Sequence, residues 1–195
     1  AIFKNKVKFA FETLPEGIRN AVGTKQDSAD TLSFTNGASM TVTTSARSGT
    51  LNRLHVSEYG KMCAQYPEKA REVATGSFPA AEKGSITIES TAEGQTGRFF
   101  EMVQDSRDVE PRSKKEWRFH FFPWWKDPKY TMDEECEFER LSPYFNELEH
   151  KHEIKLSDDQ KRWYASEHAI QGDKMKQEFP STPEEAFAQA IEGAY

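Results

Sequence analysis

Cysteine is nearly missing from this chain, with only Cys63 and Cys136 among 195 residues. They lie far apart and form no C-x-x-C spacing, which excludes a disulfide framework or a zinc ribbon and reads as two free thiols of a reducing compartment. Long apolar runs are lacking too. None approaches the ~18 residues of a membrane span, and no charged-then-apolar leader opens the chain. The expectation is a soluble, cytoplasmic protein with no membrane partner. Positive charge is in deficit, with 26 Lys and Arg against 32 Asp and Glu and a formal net charge of -6. A nucleic-acid clamp built on bulk charge is thereby excluded, and any contact with DNA must be local. Internal repeats and low-complexity tracts are also absent.

What is present suffices for a core. Charged residues make up 30% of the chain, but 36% are hydrophobic and 12% aromatic, too many for a disordered segment. The length suits one domain, or one domain with a helical appendage. The opening segment Val7 to Ile18 carries apolar residues near helical spacing and needs a partner surface at once. The chain is therefore expected to be a piece of a longer protein.

Residues 5–14 read as a short helix closed by Pro15 and Gly17, and Gly23 to Asp30 as a polar loop. Asn36-Gly37, between the β-prone runs Thr31–Thr35 and Ser39–Thr44, predicts a hairpin, because both residues tolerate the positive φ of its turn. A strand follows over Leu51–Val56, then a helix from Pro67 to Ala74 stopped by Gly76. Ser85–Glu89 reads as a strand and Thr96–Asp105 as a helix, with Phe99, Phe100, Met102 and Val103 on its apolar face. Strand, helix, strand, helix is the grammar of an α/β fold. Trp117–Trp125 alternates like one more strand, reaching an edge at Pro123. Residues 126–195 are charged and helical, with capping boxes at Ser157 to Gln160 and Thr182 to Glu185. A subdomain boundary is placed near residue 126.

Two strand ends carry the candidate chemistry. The first run ends in Ser57-Glu58, the second in Ser90-Thr91, and buried parallel strands deliver site residues at their carboxyl ends. A carboxylate there can polarise an attacking water, and a hydroxyl on the neighbouring strand can sense a γ-phosphate. Arg47, in a turn relaxed by Gly49, is either an ordinary surface arginine or a guanidinium that supplies charge to a phosphoryl group, in its own subunit or a neighbour's. Lys61 and Arg98 share that neighbourhood. His55 reads as a sheet histidine, and His150 and His152 as part of a solvated face. Trp124 and Trp125, with Lys126, Lys129 and Tyr130, form either a hydrophobic seam or a platform for bases. No G-x-x-x-x-G-K-[ST] loop occurs, so nothing here cradles a triphosphate.

Taken together, Leu32 to Gly37, Thr44 to Thr50, Leu54 to Lys61, Ile86 to Gly94 and Phe179 to Phe187 resemble the large terminase subunit of tailed bacteriophages, the motor that pumps DNA into procapsids. The resemblance implies a partial P-loop NTPase-like sheet of the RecA/ASCE type, flanked by helices, over residues 1–125. It implies a helical subdomain leading toward a nuclease domain over 126–195. Leu54 to Glu58 would be the Walker B strand, with Glu58 as catalytic carboxylate and Ser57 beside it at the Mg²⁺. Ser90 and Thr91 would be the coupling motif at the nucleotide, and Arg47 the arginine that reaches a neighbouring subunit. Ser57 stands where such proteins usually carry aspartate. By the same resemblance the intact parent uses ATP and Mg²⁺. Its partners would be double-stranded DNA, a portal protein, a small terminase subunit and neighbouring copies in a ring, and the piece alone would be inactive. Two other readings compete: a non-catalytic DNA-binding or scaffold module using residues 117–130, and a hydrolase pairing Glu58 with Glu89 or Glu93.

Overall fold

The computed structural model describes residues 3–44, 46, 49–110, 113 and 115–188 of the chain. The fold is α/β, and it divides into two compact units, residues 1–48 and residues 49–195.

In the first unit a wide helical turn over Phe3–Lys8 runs into helix α1 (Phe9–Glu12), and α2 (Glu16–Val22) follows once Pro15 has broken the path. Strands β1 (Thr24–Asp27), β2 (Thr31–Phe34) and β3 (Ser39–Thr41) form an antiparallel sheet in that order. The Asn36-Gly37 turn joins β2 to β3: Gly37 takes φ +85°, and the Asn36 side chain accepts the Ala38 N–H at 3.0 Å. Strand β1 occupies what reads as loop in the sequence. All four of its residues are exposed, so no apolar alternation marks it, and its pairing with β2 alone creates it. Leu32 and Phe34 are buried by β2's alternation and are covered by Val7, Phe11, Val22 and Val42.

The second unit is organised around a parallel pair, β4 (Arg53–Ser57) and β5 (Ser85–Glu89). Between them run α3 (Tyr59–Gln65), α4 (Pro67–Glu72), a wider turn over Val73–Ser77, and α5 (Phe78–Ala80). Gly76 thus loosens the helix into a π-type turn rather than stopping it. Leu54 and Val56 of β4, with Ile88 of β5, sit over Tyr59, Val73 and Met102. The other face, with Arg53, His55, Ser57, Ser85, Thr87 and Glu89, is exposed. On it His55 Nε2 lies 3.7 Å from a Glu89 carboxylate oxygen. Helix α6 (Arg98–Ser106) then packs its Met102 and Val103 inward.

Residues 117–123 form no strand. Phe119 and Phe121 instead stack on each other and pack against Val103, Ala186 and Phe187, so their β-forming character is spent on a helix surface rather than on a ladder. Beyond them a tight turn at Trp124–Lys126 leads into α7 (Ser142–His152), α8 (Asp158–Gln171), α9 (Met175–Glu178) and α10 (Pro183–Phe187). Ser157 and Gln160 cap α8 reciprocally, as the sequence motif requires. At α10 Thr182 caps the Glu185 N–H, but the Glu185 carboxylate reaches one residue further back, to the Ser181 N–H at 2.6 Å. Trp124, 2% exposed, centres a core of Phe145, Leu148, Leu156, Tyr164 and Met175.

Helix α10 is tied to α6. Phe187 meets Phe100 edge-on at 5.1 Å, and Arg107 pairs with Glu184. The guanidinium, hydrogen-bonded to the carboxylate, pulls Glu184 from 4.5 down to about 2. A lowered carboxylate stabilises the fold at pH above its unfolded value and loses that contribution as pH falls from 4.5 toward 2. Because the Glu184 side chain is 56% exposed, solvent screening keeps the gain below about 1 kcal/mol. Urea titrations at pH 6 should therefore show Glu184→Gln slightly less stable than the parent. The gap should close near pH 2, and a gap that widened on acidification would contradict the pairing.

Candidate functional site

The parallel register places the two strand ends side by side. Ser57 is the partner of Glu89, so Glu58 and Ser90, the next residue on each strand, leave the same edge of the sheet. Had the strands run antiparallel, these groups would have been separated by the strand's length, about 17 Å for five residues.

Glu58 sits at a forced corner. Ser57 before it is exposed and Tyr59 after it is fully buried, at 0% exposure. The backbone turns between them in the left-handed region, φ +55° and ψ +39°, which a side chain other than glycine's adopts at a cost of about 1–3 kcal/mol. Tyr59 is held by Phe78 and Phe99, with ring centroids at 5.8 and 6.4 Å, and its hydroxyl donates to the Ala70 carbonyl at 3.3 Å. Burial raises its pKa, so it stays neutral. With Tyr59 sunk into the core, the Glu58 carboxylate is left in solvent at the strand tip.

The second tip is bonded to the first. Gly60 donates its N–H to Ser90 Oγ at 3.0 Å. Glu58 gives α3 no side-chain cap, so this hydroxyl, thirty residues on, satisfies one of the helix's free N–H groups. A Cβ added at Gly60 would stand 2.8 Å from Ser90 Oγ, the Thr91 carbonyl oxygen and Phe99 Cδ1, and only glycine fits there. Thr91 is half-buried, and the next carbonyl, of Ala92, accepts a buried hydrogen bond from Gln177 Nε2 at 2.6 Å.

Comparison of the chain with known protein families, with curated proteins and with solved structures finds no match. The site rests on its own geometry.

Of the residues singled out in the sequence, Ser57, Glu58, Ser90 and Thr91 lie at the carboxyl ends of the two paired strands, Ser57 on the open face beside its register partner Glu89. Lys61 and Arg98, both exposed, follow on α3 and at the start of α6, where Arg98 pairs with Glu101 at 3.5 Å. Arg47 lies outside the described residues. Glu89 is turned to the open face with His55, whereas Glu93 is half-buried in the loop beyond Thr91. Gly60 and Gln177 escaped the sequence reading; the only hint was a glycine two residues after a strand-end carboxylate. Among the described residues no three His, Cys, Asp or Glu side chains cluster to hold a metal ion. The donors at the tip are the Glu58 carboxylate and the Ser57 and Thr91 hydroxyls, with that of Ser90 taken by Gly60, enough for an ion that keeps most of its waters and takes its other ligands from phosphate. Two surface hollows, one lined by Glu135 to Glu139 with Arg162 and one by Ser106 to Glu110 with Arg118 and Phe119, include none of the tip residues.

The aromatic stretch offers no platform at Trp124. Its ring is covered by Tyr164 at 4.8 Å and Trp163 at 5.6 Å, and its N–H is given to Ser181. Tyr130 is stacked on Trp163 at 4.4 Å, and Lys126 and Lys129 lie over Trp125 and Tyr130. Those ring faces belong to the protein's own packing. No helix of the described residues is long and apolar enough to cross a membrane.

Proposed function

We propose that this chain is the Walker B and coupling-motif half of a terminase large-subunit ATPase domain, part of an ATP-driven motor that moves double-stranded DNA. The observation that carries the reading is the adjacency of Glu58 and Ser90-Thr91 at the carboxyl ends of two paired parallel strands, joined by the Gly60 to Ser90 hydrogen bond. An acid at one strand end can orient a water, and a hydroxyl at the next can contact a phosphate, two of the parts that phosphoryl transfer to water uses.

In this reading Glu58 orients and polarises the attacking water, and its exposure leaves the carboxylate free to do so. Thr91 senses the terminal phosphate and passes its loss to the loop beyond. The triphosphate itself is held by a glycine-rich loop from another part of the parent protein, and Arg47 of a neighbouring copy in the ring adds positive charge. Mg²⁺, when bound, neutralises charge on the phosphates; Glu58 and the Ser57 hydroxyl are the residues here that would hold it, through water. The portal protein and small terminase subunit are the partners of such a motor, and residues 126–195 are its helical subdomain, leading toward a nuclease domain.

The test is Mg²⁺-dependent ATP turnover by the full gene product, with and without double-stranded DNA. Turnover is expected, and Thr91→Ala should retain hydrolysis while losing DNA movement. Absence of any turnover in the full-length protein would sink the reading.

A further inference from the structure

Ser90 stands at the site, yet its oxygen is already engaged: it accepts the Gly60 N–H at 3.0 Å. Three further observations give that bond a purpose. Glu58, two residues before Gly60, is held in a left-handed conformation that its own side chain does not favour. Nothing in the Glu58 side chain caps α3. And the place a Cβ would take at Gly60 is already occupied, with Ser90 Oγ, the Thr91 carbonyl oxygen and Phe99 Cδ1 all 2.8 Å from it. A strained turn persists only where its surroundings over-determine it. Here Tyr59, buried under Phe78 and Phe99, fixes the turn from below, and the Gly60 to Ser90 contact fixes it from the neighbouring strand.

We propose that Ser90 is a positioning residue for Glu58: by capping α3 through Gly60 it sets where the carboxylate stands, and it leaves the sensing of phosphate to Thr91. A shift of the second strand's tip would then be felt at the acid directly, through one hydrogen bond. Its effect on catalysis rests on the ATPase reading above, whereas the joint itself does not.

The experiment has two arms. In this 195-residue chain, amide exchange and chemical shifts of Glu58, Tyr59 and Gly60 are followed by NMR. Ser90→Ala should speed Gly60 exchange about tenfold, the worth of one hydrogen bond, and should shift the Glu58 resonances. Ser90→Thr, which keeps the oxygen, should restore both, and Thr91→Ala should leave them unchanged. Unchanged Gly60 exchange in Ser90→Ala overturns the joint. In the full-length protein, Ser90→Ala should lower kcat about tenfold with KM for ATP within twofold. A raised KM at unchanged kcat would make Ser90 a phosphate contact and overturn the positioning role. If the full-length protein turns over no ATP while the NMR arm holds, the ATPase reading fails and the joint stands.

Discussion

Glu58→Gln is expected to lower ATP turnover of the full-length protein by about 10²- to 10⁴-fold, the usual worth of a positioned proton acceptor, with nucleotide binding retained. Glutamine keeps the shape of the side chain and its hydrogen-bonding reach but loses the negative charge that polarises a water. Glu58 is exposed, so the exchange removes no packing. The backbone corner is equally strained for either residue, since the left-handed region penalises any Cβ. Stability should accordingly be preserved while chemistry is lost, and that split separates this substitution from a folding defect. Turnover measured beside equilibrium binding of a nucleotide analogue decides the matter: an unimpaired rate would remove Glu58 from the reaction.

Trp124→Ala should be the most destabilising single change in the helical part, at about 3–5 kcal/mol, the range for truncating a fully buried large aromatic. Trp124 is 2% exposed and contacts two rings, Tyr164 and Trp163, while its N–H donates to Ser181 Oγ at 2.8 Å. That hydroxyl lies 2.5 Å from the Tyr144 oxygen, and Tyr144 in turn donates to Glu185 at 2.9 Å. Truncation therefore opens a cavity and breaks the first link of a buried polar chain. A typical domain has about 5–15 kcal/mol in total, so much of the margin would go. Trp124→Phe, which keeps a ring but not the N–H, should cost clearly less. Urea unfolding of the three proteins measures both, and a loss under 1 kcal/mol for Trp124→Ala would show that the ring is not the keystone of that core.

Much of the architecture follows from local patterns. Strand β5 begins and ends where its β-branched run does, the Asn36-Gly37 turn closes its hairpin, and Ser157 with Gln160 opens α8. Strand β4 is displaced by two residues at its start and one at its end, the uncertainty of any boundary set by hydrogen bonding. The misses share a cause. Helix α3 carries no cap in its own sequence, because its cap comes from Ser90 on another strand. Strand β1 exists only through its partner. The aromatic alternation of residues 117–123 is real, but side-chain packing against Val103, Ala186 and Phe187 took the place of a ladder. At the site, the acid and the hydroxyls were legible as strand ends. Their adjacency depended on a parallel register that neither strand encodes alone.

The Gln177 bond to the Ala92 carbonyl gives this arrangement a mechanical side. One residue beyond Thr91, the loop is anchored to the stretch that runs on through Ser181 and Glu185 to Phe187, itself fastened to α6. A displacement of α10 thus reaches the strand tip through a short run of contacts. Whatever displaces the tip pulls on that tether with the same energy, since such couplings act equally in both directions.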